Sequence, residues 1–175
     1  YIGRMEPMGP RWMTWIGLCA LLLLARPAWA DDPDFIAFSA GVFDLGKDRT
    51  AAEGRLEYRS DFRLWLFKPF AGVMATSDGG AHVYVGVLVD MYFGRRMVAT
   101  LSFAPGHYAK GGGKDLGNDL EFRSQLEIAY RFDDRSRLGM SISHLSNASI
   151  GKKNPGTENL MLTYAVPVRG LFGDW

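Results

Sequence analysis

The stretch that decides the fold runs from Leu120 to Phe132, LEFRSQLEIAYRF. Leu120, Phe122, Leu126, Ile128, Tyr130 and Phe132 share one parity, while Glu121, Arg123, Gln125, Glu127 and Arg131 share the other. Alternation with period two is the signature of a β-strand with one apolar and one polar face. In a soluble sandwich the apolar face would be the core. In a membrane barrel the apolar face meets lipid and the polar face fills the lumen.

Working outward, the same pattern recurs. Val83, Val85, Val87, Val89, Met91 and Phe93 alternate with His82, Tyr84, Gly86, Leu88, Asp90 and Tyr92. Met97, Ala99, Leu101 and Phe103 form another stripe, as do Leu138, Met140 and Ile142, and again Leu160, Leu162, Tyr164, Val166 and Val168. The patterning predicts eight strands, over about 35–44, 51–60, 62–76, 81–93, 96–105, 119–132, 136–148 and 157–168. Turn signals part them: Gly46-Lys47-Asp48, Ser77-Asp78-Gly79-Gly80, Gly94, Gly111-Gly112-Gly113, Asp133-Asp134 and Asn154-Pro155-Gly156. After Ala30 no apolar run reaches the roughly 20 residues of a transmembrane helix. The fold class expected is all-β, an eight-stranded antiparallel transmembrane barrel. A periplasmic barrel or sandwich is the rival, and the long polar parity with no covering helix argues against it. Tyr92, Phe93, Tyr130 and Phe132 fall near strand ends, where interfacial aromatics gather.

Residues 1–30 read as an export signal, which leaves 31–175 as the barrel. Arg4 and Arg11 are followed by the apolar WMTWIGLCALLLL (12–24) and by Ala28-Trp29-Ala30, an A-x-A cleavage pattern. Translation is expected to start at Met5, Met8 or Met13. Cys19, the one cysteine, follows Leu18 inside the apolar run, which argues against a lipoprotein signal. The mature chain then lacks disulfides and thiolate metal sites. Losing Arg4, Arg11, Arg26 and Glu6 leaves 17 basic and 18 acidic residues, a net charge of −1. Nothing in that balance points to nucleic acid. No His/Asp/Glu spacing suggests a metal, and the glycine run 111–113 lacks the strand-to-helix context of a phosphate loop, so no cofactor is expected.

Candidate chemistry lies near the C-terminus. Extending the apolar parity of 138–142 reaches His144 and Ser146, and extending that of 160–164 backwards reaches Glu158. Three polar residues thus interrupt two lipid-facing stripes at the same end of one hairpin. An unpartnered carboxylate there is costly. A partner exists: opposed residues of an antiparallel pair have a constant index sum, and pairing His144 with Glu158 centres the turn on Gly151. Directly opposed Cβ atoms lie about 4.5–5.5 Å apart. Ser146 is two residues from His144 on the same face, so a serine, an imidazole and a carboxylate stand in the order that nucleophile, base and orienting group require. His82, on the lumenal parity, and His107, beside Pro105-Gly106, read as structural or solvated. Lys110, Lys114, Lys152 and Lys153 read as loop lysines, either solvated or facing lipid phosphates.

The run His144-Leu145-Ser146-Asn147-Ala148, followed by Asn154-Pro155-Gly156-Thr157-Glu158-Asn159, resembles the C-terminal motif of the lipid A 3-O-deacylase (PagL) family, also described as acyloxyacyl hydrolases. The His-x-Ser-Asn element and the step from Ser146 to Glu158 carry the resemblance, and Glu121-Phe122-Arg123-Ser124-Gln125 adds to it. It is specific over about 118–165. It implies an outer-membrane eight-stranded barrel that hydrolyses the 3-O-acyl ester of lipid A in lipopolysaccharide, in a Gram-negative cell. Ser146 would be the nucleophile, His144 the base, Glu158 its orienting partner, and Asn147 a contributor to the oxyanion hole. Asn147 lies on the opposite parity from Ser146, so a backbone N–H or a local distortion would have to help. Outward placement suits a substrate that sits in the bilayer beside the barrel, and a homodimer is one arrangement that would shape such a site. Pro167 departs from the usual aromatic strand end and raises the expectation of a bulged or shortened last strand. The alternatives are a non-enzymatic small barrel and a phospholipase-type acyl hydrolase.

Overall fold

The computed structural model describes residues 32–168. The expected signal segment and its cleavage site lie outside them. Eight strands follow in chain order: β1 (Phe35–Phe43), β2 (Ala51–Arg59), β3 (Lys68–Thr76), β4 (Ala81–Phe93), β5 (Met97–Ala109), β6 (Leu120–Arg131), β7 (Arg137–Ser146) and β8 (Thr157–Pro167). Each pairs antiparallel with its neighbours in sequence, and β8 returns to β1, so the sheet closes and no edge is left unpaired.

Burial follows the parity of the sequence. In β6, Glu121, Arg123, Gln125 and Glu127 are buried while Leu126, Ile128 and Tyr130 are exposed. An eight-stranded barrel is just wide enough for side chains to fill. Here an apolar cluster that includes Phe43, Phe70, Met74, Leu88 and Leu145 shares the interior with an ionic network. Glu57 accepts from Arg123 at 2.6 Å, from Arg59 at 2.8 Å and from the Tyr84 hydroxyl at 2.8 Å. Arg59 also reaches Glu127 at 2.8 Å, and Arg55 bonds Glu53, Gln125 and Ser143. Nearer the other rim, Lys68 and Arg137 clamp Asp32 and Asp90 at 3.0–3.2 Å. Buried charges are tolerated when paired in this way, and stripping one partner is what makes them costly.

The outside is apolar. Phe38, Val73, Val85, Phe103, Ile128, Met140 and Leu162 all face outward and are exposed. Such a continuous band is far larger than a soluble monomer's ordinary patches and marks a lipid-facing wall. Among the described residues no helix is long and apolar enough to cross a membrane. The barrel wall does the crossing.

Two strand boundaries and the course of the last strand differ from expectation. β3 begins at Lys68, not 62, because residues 62–67 turn back in a hairpin with Trp65 at φ 61°. β5 continues to Ala109 through Pro105 and Gly106, where the β4–β5 ladder skips two residue pairs. That gap falls where Pro105 has no N–H to give and where Gly86 lies against the Ala104 backbone. The last strand is regular to Pro167, which pairs with Phe35 at the barrel's end. The next N–H, of Val168, bonds Asp34 O at 2.8 Å.

Candidate active site

The rim bearing the loops 44–50, 77–80, 110–119 and 147–156 also bears the site. The β7–β8 register places His144 directly opposite Glu158. The His144 Nδ1 to Glu158 Oε1 distance is 3.1 Å, with the side chains 52% and 40% exposed. With the Nδ1 proton donated to the carboxylate, Nε2 is left as the ring's acceptor. Ser146 follows on the same face, opposite Phe122, and is half-buried. Its hydroxyl is not hydrogen-bonded to His144 in this arrangement.

Gly156 sets the imidazole's seat. Its φ is 59°, and a Cβ there would fall 2.9 Å from His144 Cε1. A side chain at 156 would therefore meet both a strained backbone and the His144 ring.

Loops fix the site from beneath. Asp44, buried at the end of β1, accepts from Lys114 Nζ at 2.6 Å and from Thr157 Oγ1 at 3.0 Å. Its own N–H donates to Asn159 Oδ1 at 3.2 Å. Lys114 donates also to Gly156 O at 2.7 Å, and Leu45 N–H to Glu158 O at 2.8 Å. Two loops, 44–50 and 110–119, are thus tied to the backbone that carries Glu158.

Asn147 is fully buried on the inner side. Its Nδ2 donates to Leu116 O at 2.8 Å and to Lys153 O at 2.9 Å, and its Oδ1 accepts from Ser149 N–H at 3.0 Å. Its own N–H bonds Asn154 Oδ1 at 3.1 Å. Ala148 and Ser149 then take left-handed φ values of 52° and 65°. The side chain suggested for the oxyanion hole is engaged in shaping this loop.

Two neighbours of the site escape a reading by sequence. Lys47 Nζ lies 2.5 Å from Glu158 Oε2, and this hydrogen bond raises the lysine above its ordinary pKa of 10.5. Lys47 stands in a turn whose approach to β8 depends on barrel closure, so only its place in a Gly46-Lys47-Asp48 turn is visible in the chain. Ser124 faces outward directly across β6 from His144, a second hydroxyl beside the ring. Of the other candidates, His82 is buried in the lumen, while His107 is exposed on β5. Lys110 and Lys153 pair with Asp115 at 3.8 and 3.0 Å.

From His144 and Glu158 an apolar groove of about 910 Å³ runs along the outer wall. Ser124, Phe103, Val87, Leu101, Leu66 and Phe67 lie among its walls.

A closed eight-stranded barrel with an apolar exterior defines a membrane-embedded β-barrel, and a His–Glu pair with two hydroxyls stands at the head of its outer groove. The chain belongs to the lipid A 3-O-deacylase (PagL) family, whose model matches residues 50–167. It is similar to the lipid A deacylase PagL of Bordetella bronchiseptica, 33% identical over 51 residues; the match covers 29% of this chain and 29% of that protein. Its fold is similar to that in the crystal structure of the outer membrane enzyme PagL. The TM-score is 0.62 at 17% identity, covering 77% of this chain and 99% of that one.

Proposed function

We propose that this protein is an outer-membrane deacylase that hydrolyses the ester-linked 3-O-acyl chain of lipid A through Ser146, His144 and Glu158. The observation that carries the reading is the His144–Glu158 pair, 3.1 Å apart on the lipid side, with Ser146 next on that face and the apolar groove leading away from it. Outer-membrane barrels carry their longer loops outside the cell. The site rim bears the longer loops here, which supports a triad at the level of the outer leaflet. Family membership points to the same substrate class.

In the proposed reaction His144 Nε2 takes the Ser146 proton as Oγ attacks the ester carbonyl. Glu158 holds the ring and stabilises its charged form. The tetrahedral intermediate collapses as the imidazolium protonates the departing sugar oxygen, which leaves as the free hydroxyl. A water molecule, deprotonated by the same ring, then attacks the acyl-serine and frees the fatty acid and Ser146. Asn147 supports this from behind by holding the 147–156 loop. Any oxyanion contact from its side chain would require it to release Leu116 O or Lys153 O.

The test is mass spectrometry of lipid A and of glycerophospholipids after incubation with the purified barrel, beside Ser146→Ala and Ser124→Ala. Loss of one 3-O-acyl chain with the parent and Ser124→Ala, and none with Ser146→Ala, is expected. Unchanged lipid A from a folded barrel would overturn the reading. Cleavage of glycerophospholipid alone would make it a phospholipase, and inactivity of Ser124→Ala alone would transfer the nucleophile to β6.

A further inference from the structure

The groove has a built end. Register alone traces its course. Glu158, His144, Ser124, Phe103, Val87 and Pro69 are successive partners across β8 to β3. The next outward row is Leu160, Ile142, Leu126, Leu101 and Val89. The β3–β4 ladder begins at Lys68 opposite Leu88, so the position facing Val89 falls to Phe67, the last residue before β3. The rows leave β7 near its site-rim end, cross β4 at mid-strand, and reach β3 at its start by the opposite rim. The groove therefore slopes down the wall from the triad to the β2–β3 connection.

That connection is firm. Leu64 and Phe67 exchange backbone hydrogen bonds of 2.9 and 3.1 Å around Trp65, whose ring meets Phe67 edge-on at 6.1 Å. At its base Ser60 N–H bonds Pro69 O at 3.0 Å and Asp61 N–H bonds Asp34 Oδ1 at 2.6 Å. Leu64 and Trp65 are 73% and 80% exposed, apolar residues turned outward beside the lipid-facing wall.

We infer that Leu66 and Phe67 of this hairpin close the far end of the groove and set the longest acyl chain the site hydrolyses. The inference rests on the deacylase reading of the same groove. From β7 to β3 there are four interstrand spacings of about 4.8 Å, roughly 19 Å in all. At about 1.2 Å of reach per bond in an extended chain, that holds roughly sixteen bonds. A longer chain must buckle or push the hairpin aside. Lipid tails outside are as apolar as the groove, so discrimination comes from packing and not from water. Overfilling a packed site lowers rates by about tenfold or more.

The experiment uses the full barrel in detergent micelles with lipid A analogues whose 3-O-ester chain is graded in length. Its variants are a Leu66→Ala/Phe67→Ala double substitution, Val89→Phe, and Ser146→Ala as the inactive control. Expected for the parent is a fall in kcat/KM of about tenfold or more past roughly sixteen bonds. The double variant should move the limit to longer chains, read as the ratio of its own long-chain to short-chain kcat/KM. Val89→Phe, which fills the groove one strand short of its far end, should move the limit to shorter chains. Opposite shifts cannot both arise from misfolding. A length profile that is flat in the parent, or identical in all three active proteins, overturns the inference and leaves the deacylase reading standing. A parent that cleaves no chain of any length removes the deacylase reading, and the inference with it.

Discussion

Replacing Glu158 by Gln keeps the shape and one hydrogen-bond partner for His144 but removes the charge. The Nδ1–Oε1 distance is 3.1 Å. Attraction between an imidazolium and a carboxylate at that separation is about 1.3 kcal/mol in water and about 5 kcal/mol at an effective dielectric constant of 20. Both side chains are roughly half exposed at the rim, and Lys47 already neutralises part of the carboxylate's charge. The value therefore belongs in the lower half of that range. At about 2 kcal/mol, the loss is about thirtyfold in kcat. KM should be largely unchanged, because the stabilised charge exists in the transition state and not in bound substrate. The assay is initial rates of fatty-acid release from lipid A in micelles, for Glu158→Gln, His144→Ala and the double variant. Because Glu158 acts through His144, the double variant should be no slower than His144→Ala alone. A Glu158→Gln kcat within about twofold of the parent, or losses that multiply in the double variant, would refute the orienting role.

Other outcomes follow from neighbouring contacts. Gly156→Val should leave a folded barrel that has lost about a hundredfold in activity, since its Cβ would strike the His144 ring and its φ of 59° disfavours a branched residue; heat-modifiable gel mobility separates the two effects. Arg123→Met strips a buried partner from Glu57 and should cost about 3–5 kcal/mol in urea unfolding, with the isolated site geometry intact. Lys47→Met should lower kcat a few-fold by freeing Glu158 Oε2. The lysine's pKa is raised by that hydrogen bond, so the contact is fully present below pH 10.5 and is lost as pH rises through the raised value. The rates of parent and variant should converge only as pH rises through that raised value, above 10.5, and a pH–rate profile with a constant ratio would contradict this.

The strands were legible because a barrel wall imposes period two on every segment that crosses it. LEFRSQLEIAYRF separates into lumen and lipid faces residue by residue. The His144–Glu158 pairing was legible for the same reason: antiparallel register conserves an index sum, and both residues break an apolar parity. The hairpin at 62–67 was misread as strand because Phe62, Leu64 and Leu66 mimic alternation. Nothing in their polarity reveals the left-handed Trp65 that reverses the chain. Lys47, Asp44 and Lys114 were invisible as site supports, since their contacts join loops far apart in sequence that only barrel closure brings together.

Placing chemistry on the lipid face raises a mechanical difficulty that the molecule answers from inside. A lipid-facing side chain has only soft neighbours, so it cannot be held by packing on its outer side. His144 and Glu158 are held instead through their backbones. Leu145, Asn147, Thr157 and Asn159, the inward-facing residues between and beside them, are all fully buried. Thr157 and Asn159 bond Asp44, and Asn147 bonds the backbone of 116 and 153. The alternation that sends His144 and Glu158 to the lipid side sends every second residue into a packed, hydrogen-bonded interior. Positional precision is built on the lumen parity and delivered to the lipid parity one residue away. Substitutions at Thr157 or Asn159, which touch no substrate, should therefore lower kcat more than they alter KM, the inverse of what shortening Leu66 or Phe67 should do to long-chain substrates.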